Sequence, residues 1–146
     1  MAGQIKGFEI KVDNRKKFTE AVEKALDLAL EECGSECEKY AKQLVPVDTG
    51  LLRNSITYAL HGKPPAIESY SADRADKNGN RRSGSYRGSV PDGEQCVYVG
   101  SNVEYTAYVE KGSSHHPTPK PFLQPALDNH NDKYEKIFQK HLNSIK

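Results

Sequence analysis

A long amphipathic pattern that stops abruptly at a proline dominates this chain. From about Asn14 to Leu44, apolar residues recur every three or four positions, which is the spacing of one face of an α-helix. Pro46 disfavours helical dihedrals at Val45 and cannot donate a backbone hydrogen bond to the preceding turn, so the helix must end there. At 1.5 Å per residue the helix is expected to reach roughly 45 Å, which is longer than a small domain needs.

Five positions on or before this helix carry further expectations. Asp13 or Asn14 can cap its first turn through a side-chain oxygen, and Gly34 is a candidate kink that costs about 1 kcal/mol relative to alanine. Cys33 and Cys37 share a helix face, which could supply two thiolates to a metal. A structural zinc site draws four ligands from paired motifs, and no second pair is evident, so both cysteines are expected to be buried as small hydrophobic side chains.

Turn-forming residues follow the helix from Pro46 to Gly50. Side-chain oxygens of Asp48 and Thr49 can accept hydrogen bonds from nearby backbone N–H groups, and Gly50 can adopt a positive φ without a Cβ clash. The sequence therefore predicts a tight corner. The next segment, Leu51 to Leu60, is rich in apolar, Thr and Tyr residues and is predicted to be a strand.

A second rigid run, near the end of the chain, is rich in proline. Three prolines favour an extended, polyproline-like segment that delivers Phe122 and Leu123 to a fixed place. These prolines are Pro117, Pro119 and Pro121. Pro125 suits the first turn of a helix, where its missing N–H is no loss. The apolar spacing predicts that this helix runs roughly from Pro125 to Ile145.

Three shorter elements complete the predicted fold. Ile5 to Val12 is a candidate edge strand, Gln95 to Gly100 is a compact strand, and Val103 to Glu110 is expected to form one or two helical turns. The strands at Leu51 to Leu60 and Gln95 to Gly100 would form the centre of a small, mostly antiparallel sheet packed by the long N-terminal helix and the C-terminal helix. The predicted class is α+β, in a single domain that spans residues 1–146.

The segment from His61 to Glu94 is the least foldable part of the sequence, because glycine, proline and polar residues are scattered through it. In isolation it is expected to be mobile. Its middle carries five basic residues against two acidic ones, and Tyr70 and Tyr86 flank it. The basic residues are Arg74, Lys77, Arg81, Arg82 and Arg87. Such a loop can contact nucleic acid, contact a protein partner, or simply be solvated.

Composition and charge narrow the function classes. Only 36% of the residues are hydrophobic, so the core should be modest, and contacts between subunits are expected to add stability. The 21 Lys and Arg residues nearly balance the 20 Asp and Glu residues, which gives no general electrostatic case for binding nucleic acid or a membrane. There is no apolar stretch of membrane-spanning length and no secretory signal at Met1, so synthesis in the cytosol is expected.

No catalytic set is evident in the sequence. The triplet Asp48-Thr49-Gly50 matches that of aspartic proteases, which pair two carboxylates, yet here a long helix precedes it and Leu51 replaces the expected small residue. The histidine spacings match no metal motif, and no phosphate-binding glycine loop or recognisable nucleophile occurs. Glu110 is expected to end a short helix rather than to act as a base. The prediction is a protein without catalysis, metal or cofactor.

Four ordered blocks resemble the head–tail component family of tailed bacteriophages, the small neck proteins also described as tail-completion or minor tail components. After the long helix the blocks are PVDTGLLRNSI at 46–56, VYVGS and YTAYVEKG within 97–112, and PKPFLQPAL at 119–127 before a last helix. The similarity runs from about Ala21 to Leu142. The segment from His61 to Glu94 is longer than the family's usual connection.

The resemblance implies an α+β subunit that assembles as a ring, commonly of six copies, between the capsid and the tail. One face would contact the head-connector or head-closure protein and the other the tail terminator or tail tube. DNA would pass through the lumen without tight binding, which fits the near-neutral net charge. The resemblance implies neither catalysis nor a membrane partner. The subunit would belong to the virion neck or tail, after a stage in the host cytoplasm.

Residues expected to shape the subunit or its interfaces come from the blocks that carry the resemblance. They are Pro46, Asp48, Thr49, Gly50, Leu52, Ser55, Tyr105, Glu110, Gly112, Pro121, Phe122, Leu123 and Pro125. Two alternative functions stay open at this point. One is a tail terminator protein, and the other is a nucleic-acid-binding protein that uses the basic loop 73–88.

Overall fold

The computed structural model describes residues 6–11, 20–115 and 117–145, and it confirms the predicted α+β class. The elements in chain order are β1 (Lys6–Lys11), α1 (Glu20–Leu44), α2 (Leu51–Ser55), β2 (Thr57–Leu60), β3 (Ser69–Ser71), β4 (Ser83–Ser85), β5 (Cys96–Ser101), α3 (Thr106–Lys111), α4 (Leu123–Asp128) and α5 (Asn131–Asn143). α1 packs on β2 and β5, and α5 packs on α1. Within the described ranges, no helix is long and apolar enough to cross a membrane.

β5 is the central strand of the main sheet, between β1 and β2, and both neighbours are antiparallel to it. The register places Gly100 opposite Gly7 on one side and opposite Thr57 on the other. The predicted edge strand at the N-terminus is therefore confirmed over the described part. The prediction that the strand after the corner shares the sheet centre is wrong. β1 occupies the free side of β5, which leaves β2 at an edge.

α1 confirms the predicted long helix and its end before Pro46. The start predicted near Asn14, with its cap, lies outside the described residues. The buried face of α1 consists of Ala25, Leu26, Ala29, Leu30, Cys33, Gly34, Cys37 and Ala41. The helix runs unbroken through Gly34, where a Cβ would lie 2.7 Å from Cγ2 of Val97. The absence of a side chain at Gly34 therefore lets α1 approach β5 closely.

The three cysteines of the chain are free and buried, as expected for small hydrophobic side chains. Burial raises the pKa of Cys33 to about 12 and also raises the pKa of Cys37. Both thiols are therefore protonated at neutral pH, and the Cys33 thiol donates a weak hydrogen bond to the carbonyl of Tyr134 at 3.8 Å. The two cysteines thus join α1 to α5.

The segment after the corner is half helix, so the prediction of one strand from Leu51 to Leu60 is wrong in its first half. α2 forms before β2 begins. Leu51, Leu52 and Ser55 are buried, and this spacing places them on one face of a helical turn. The Ser55 hydroxyl also donates to the Leu52 carbonyl at 2.6 Å. In a strand, that carbonyl would instead accept a hydrogen bond from a neighbouring strand.

The predicted last helix is two helices, because α4 and α5 are separated at Asn129 and His130. His130 stacks on Tyr40 of α1, with 3.5 Å between ring centroids. The Tyr134 hydroxyl donates to the Ala126 carbonyl at 2.6 Å, across the break. These contacts hold the direction change that allows α5 to run along α1. A continuous helix from Pro125 would not make them.

The polar segment from His61 to Glu94 contains a short hairpin of β3 and β4, which composition alone did not predict. Tyr70 donates to Asn102 through its hydroxyl, and Tyr86 donates to the Ser55 carbonyl. The two tyrosine rings lie 5.6 Å apart. The aromatic residues that flank the basic loop therefore pack the hairpin against the rest of the protein.

Candidate functional site

The corner between α1 and α2 adopts the predicted turn. Gly50 has φ 87 and ψ −1, in the left-handed region that favours glycine. Thr49 Oγ1 accepts a hydrogen bond from the Leu51 amide at 3.3 Å. The Thr49 carbonyl accepts one from the Arg74 amide at 3.1 Å, and the Arg74 guanidinium donates to the Asp48 carbonyl. The triplet that resembles a protease motif is therefore a turn. Its backbone binds the segment from His61 to Glu94, called here the inserted segment.

α2 also contacts the inserted segment, at the end of β3 and just after it. The Arg53 guanidinium forms an ion pair with the Asp73 carboxylate. Asn54 Nδ2 donates to Asp73 Oδ1 at 3.0 Å and to the Ser71 carbonyl at 2.8 Å. Each contact is partly exposed and so contributes little energy alone. Together they fix where the hairpin leaves the corner.

A buried hydrogen-bond network links α2 to the end of β5. The hydroxyls of Ser55 and Ser101 are in hydrogen-bond contact, and Ser101 Oγ accepts a bond from the Val103 amide at 3.0 Å. Burial raises the pKa of Tyr86, which keeps its phenol protonated as a donor to the Ser55 carbonyl. The sequence analysis named Ser55 but missed its partners. They lie 31 and 46 residues away, where no periodic pattern reports them.

Glu110 binds the start of α4 and does more than end a short helix. It lies in α3, which Gly112 terminates with φ 84. One carboxylate oxygen accepts hydrogen bonds from the amides of Phe122 and Leu123, both at 2.9 Å, and the other accepts from the Gln124 amide at 3.1 Å. Phe122 is the N-cap residue and has no side-chain oxygen to offer. Glu110 therefore supplies the cap from a different helix.

The proline run leads two apolar side chains into the main core. Phe122 is fully buried and Leu123 nearly so, in the same cluster as Leu52 of α2. Pro121 is exposed and immediately precedes them. Pro125 is the third residue of α4 and so still lies in the first turn, where it needs no hydrogen-bond acceptor. The two rigid runs of the sequence thus meet in one core.

Three of the five basic residues in the inserted segment support the fold. Besides Arg74, Arg81 Nε donates to the Ala72 carbonyl at 2.7 Å, and Arg82 pairs with Glu104 at 2.7 Å. Two others are exposed and form no side-chain hydrogen bond or ion pair with another described residue. They are Lys77 and Arg87. The segment therefore presents positive charge at its surface while its backbone is held at the corner.

An open groove of about 1100 Å³ lies between the corner, α3 and the segment that leads to the proline run. Pro46, Tyr105 and Gly112, which the sequence analysis named, line this groove. Tyr108, which lies in the block YTAYVEKG but was not selected as a site residue, lines the groove as well and is 60% exposed. The Lys120 amide donates to a carbonyl of α3 at 2.9 Å and holds the outer wall.

His61, the first residue of the inserted segment, bridges two carboxylates. Its Nε2 lies 2.8 Å from Asp27 Oδ1 of α1, and its Nδ1 lies 2.8 Å from Asp92 Oδ1. Burial lowers the pKa of His61, but the hydrogen bonds to Asp92 and Asp27 outweigh it, so the pKa is raised overall. Gln95 Nε2 also donates to Asp27, at 3.1 Å. This cluster ties α1 to the loop before β5, and sequence reasoning missed it.

The polar side chains of these clusters share one role, which is to hold distant segments of backbone or helix together. In the described parts of the chain, no three or more His, Cys, Asp or Glu residues are grouped so that they could hold a metal ion. Fold and site together define a small α+β protein with an apolar groove next to the corner between α1 and α2.

Comparison with protein families gives this class a name. The chain belongs to the HK97-gp10-like family, described as "Bacteriophage HK97-gp10, putative tail-component", whose family model matches residues 12–112. The predicted resemblance to phage head–tail components is thereby confirmed, and the protein is a structural tail component of a bacteriophage. The match includes the corner and Glu110, whereas the proline run lies beyond it. No curated protein and no solved structure matched the chain significantly.

Proposed function

We propose that the protein is a ring-forming subunit of the phage neck that joins the DNA-filled head to the tail and lets DNA pass. Membership of a phage tail-component family is the observation that carries this proposal. In this function a ring of six copies places one face on the head-connector or head-closure protein. Its other face contacts the tail terminator or the tail tube. The protein takes no part in catalysis and acts in the virion, after assembly in the host cytoplasm.

The rigid connections of the subunit support a role as an adaptor. The corner at Gly50 fixes α1 against the inserted hairpin, and the Glu110 carboxylate fixes α3 against α4. Both connections use hydrogen bonds to backbone groups, so they position whole segments and not single side chains. An adaptor that binds different proteins on its two faces needs this kind of fixed geometry, because a flexible subunit would lose binding energy to ordering.

The charge distribution of the inserted segment supports DNA passage better than it supports tight DNA binding. Arg82 is paired with Glu104, and Arg74 and Arg81 donate to backbone carbonyls. Tight nonspecific binding needs many phosphate contacts, each of which steepens the salt dependence. With few unengaged basic side chains, the inserted segment fits weak, transient contact with passing DNA.

The experiment is to delete the gene in the phage and examine lysates by negative-stain electron microscopy. Filled heads and separate tails of normal length are expected, and complementation from a plasmid should restore joined particles. Tails of abnormal length would instead indicate the tail terminator function. Intact infectious virions that lack the protein would refute the proposal. Salt-dependent DNA binding that the double change Lys77→Ala and Arg87→Ala abolishes would favour the nucleic-acid-binding alternative, because these two exposed residues do not support the fold.

A further inference from the structure

Hydrogen bonds between the first and the last residues of the inserted segment close its base. The Gly62 amide donates to the Pro91 carbonyl at 3.2 Å, and the Val90 amide donates to the Lys63 carbonyl at 3.0 Å. Val90 is buried, so the closed base covers an apolar side chain. The last residues of the segment are thereby held against its first residues.

His61 extends this closure through its side chain and ties it to α1. Its Nδ1 lies 2.8 Å from Asp92 Oδ1, and its Nε2 lies 2.8 Å from Asp27 Oδ1. Gly62 has φ 71, and a Cβ there would lie 2.9 Å from Asp92 Cγ, so the missing side chain lets Asp92 approach. One imidazole ring therefore joins the start of the inserted segment, the end of that segment and α1.

Both ring nitrogens of His61 can donate only when the ring is charged. A neutral imidazole carries one N–H and one lone pair, whereas an imidazolium carries two N–H groups. Because a carboxylate oxygen lies 2.8 Å from each nitrogen, a neutral ring would turn a lone pair toward one of them. Burial opposes the charge, but the hydrogen bonds to Asp92 and Asp27 outweigh burial and raise the pKa of His61.

The other titratable groups around His61 come from α1, from the inserted segment and from two strands. They are Glu23, Lys24 and Glu31 within one turn of Asp27, Lys63 and Glu94 near the ends of the inserted segment, and Tyr58, Cys96 and Tyr98 of β2 and β5. Carboxylates, amines, thiols and phenols ordinarily titrate outside the range from pH 5.5 to 8, whereas histidine ordinarily titrates within it. Charge at the base of the inserted segment is therefore expected to change at His61 over this range.

We propose that His61 is a pH-sensitive clasp, which closes the base of the inserted segment when its ring is charged and opens it at Asp92 when the ring loses a proton. The Asp92 side chain is 72% exposed, whereas that of Asp27 is 34% exposed. Asp27 also accepts a hydrogen bond from the buried Gln95, so it is held in place and keeps the remaining N–H of the ring. A lone pair then faces the Asp92 carboxylate, and that contact is lost.

Loss of the Asp92 contact frees the returning part of the inserted segment, residues 88–94. Gly88 and Gly93 lie in this part, and no atom lies within 4 Å of a Cβ built at either glycine, so the chain is uncrowded at both. The buried Tyr86 holds the chain just before it, which confines the movement to the residues that follow. Opening exposes Val90 to water. The clasp goes beyond the proposed function and does not depend on it.

Two NMR measurements test the clasp. Titration of the imidazole gives the pKa of His61, and amide hydrogen exchange at Val90, corrected for its intrinsic dependence on pH, reports the opening of the base. Asp92→Ala serves as the open form and should lower the pKa of His61. Each unit of that difference should make the corrected Val90 exchange tenfold faster above the wild-type pKa than at pH 5.5. The Ile137 amide in α5 is the internal reference and should not change by this factor.

Asp27→Asn tests why the base opens at Asp92. The amide that this change introduces can donate to Nε2 of His61, which leaves the single N–H of a neutral ring to Asp92. The corrected Val90 exchange should therefore lose most of its pH dependence in this variant. The control Asp132→Ala removes an exposed carboxylate from α5 and should match wild type in both measurements.

The wild-type protein and Asp92→Ala decide the proposal. A corrected Val90 exchange rate that is equal on both sides of the titration, or an acceleration that persists in Asp92→Ala, would overturn the clasp. So would a pKa of His61 that Asp92→Ala leaves unchanged. Circular dichroism and thermal unfolding establish that the variants fold. Should Asp92→Ala not fold, Asp92→Asn removes the same charge at this exposed position and takes its place.

Discussion

Replacing Glu110 should destabilise the whole protein, because this buried carboxylate on a helix of only six residues caps another helix. Its carboxylate accepts three backbone hydrogen bonds from the first residues of α4, at 2.9, 2.9 and 3.1 Å. Hydrogen bonds to a charged group contribute about 1.5–3 kcal/mol each, and a buried donor left without a partner costs about 1–3 kcal/mol. The three bonds share one charge, so these values do not simply add.

For Glu110→Ala we expect a loss of about 3–5 kcal/mol in the free energy of unfolding. The estimate takes the desolvation cost of the Phe122 and Leu123 amides in full and discounts that of Gln124, which is exposed. Glu110→Gln keeps one acceptor oxygen but loses the charge and places an N–H₂ group near a backbone donor, so about 1–3 kcal/mol is expected. A domain of this size is stable by about 5–15 kcal/mol, so the alanine change should lower the Tm by roughly 10 °C.

The measurement is urea and thermal unfolding of wild type, both variants and the control Glu135→Gln, which changes an exposed glutamate on α5. Hydrogen exchange at the amides of residues 122–124 should accelerate in Glu110→Ala before global unfolding. The reasoning would be refuted if both Glu110 variants stayed within about 0.5 kcal/mol of the control, or if exchange at these amides were unchanged.

Three further predictions follow from other contacts. Gly34→Ala should destabilise the protein by about 1–2 kcal/mol despite its gain in helix propensity, because the new Cβ would lie 2.7 Å from Val97 Cγ2; chemical denaturation measures the sign. Gly50→Ala should cost more than Gly79→Ala in the same assay, since both have positive φ but a Cβ meets an atom at 2.7 Å only at Gly50. The stabilisation from His61 should be fully present below about pH 6.5 and lost as pH rises through its raised folded-state pKa. The Tm difference between wild type and His61→Gln should therefore shrink from pH 5.5 to pH 9, and a difference that grows with pH would contradict this assignment.

Local signals in the sequence were enough to predict α1, its end before Pro46 and the conformation of Gly50. Each of these features depends on the spacing of apolar residues or on the backbone dihedral angles that a single proline or glycine allows. The split of Leu51 to Leu60 into α2 and β2 was not predictable in this way, because its first residues suit a strand by composition. Their helical conformation follows from a buried face that exists only after β5 and α4 have packed against it.

Nonlocal contacts explain the other differences between the predicted and the observed structure. The apolar periodicity continues through Asn129 and His130, so the sequence predicts one helix, and the stacking of His130 on Tyr40 is what marks the break. Glu110 was selected for its place in a block of sequence, yet its cap on α4 joins segments 12 to 14 residues apart. Such a pairing has no spacing rule. Partners of this kind become visible only when the fold brings them together.

The length of α1 has a geometric consequence. Leu28 and Leu44 lie on the same unbroken helix, so their separation is fixed by the helical rise and by nothing in the loops. Deleting one full turn of α1 would preserve its faces but shorten this separation by roughly 5 Å. α1 therefore fixes the distance between the corner at its end and the first half of the helix, which contacts the end of α5, whatever conformation the connecting loops adopt.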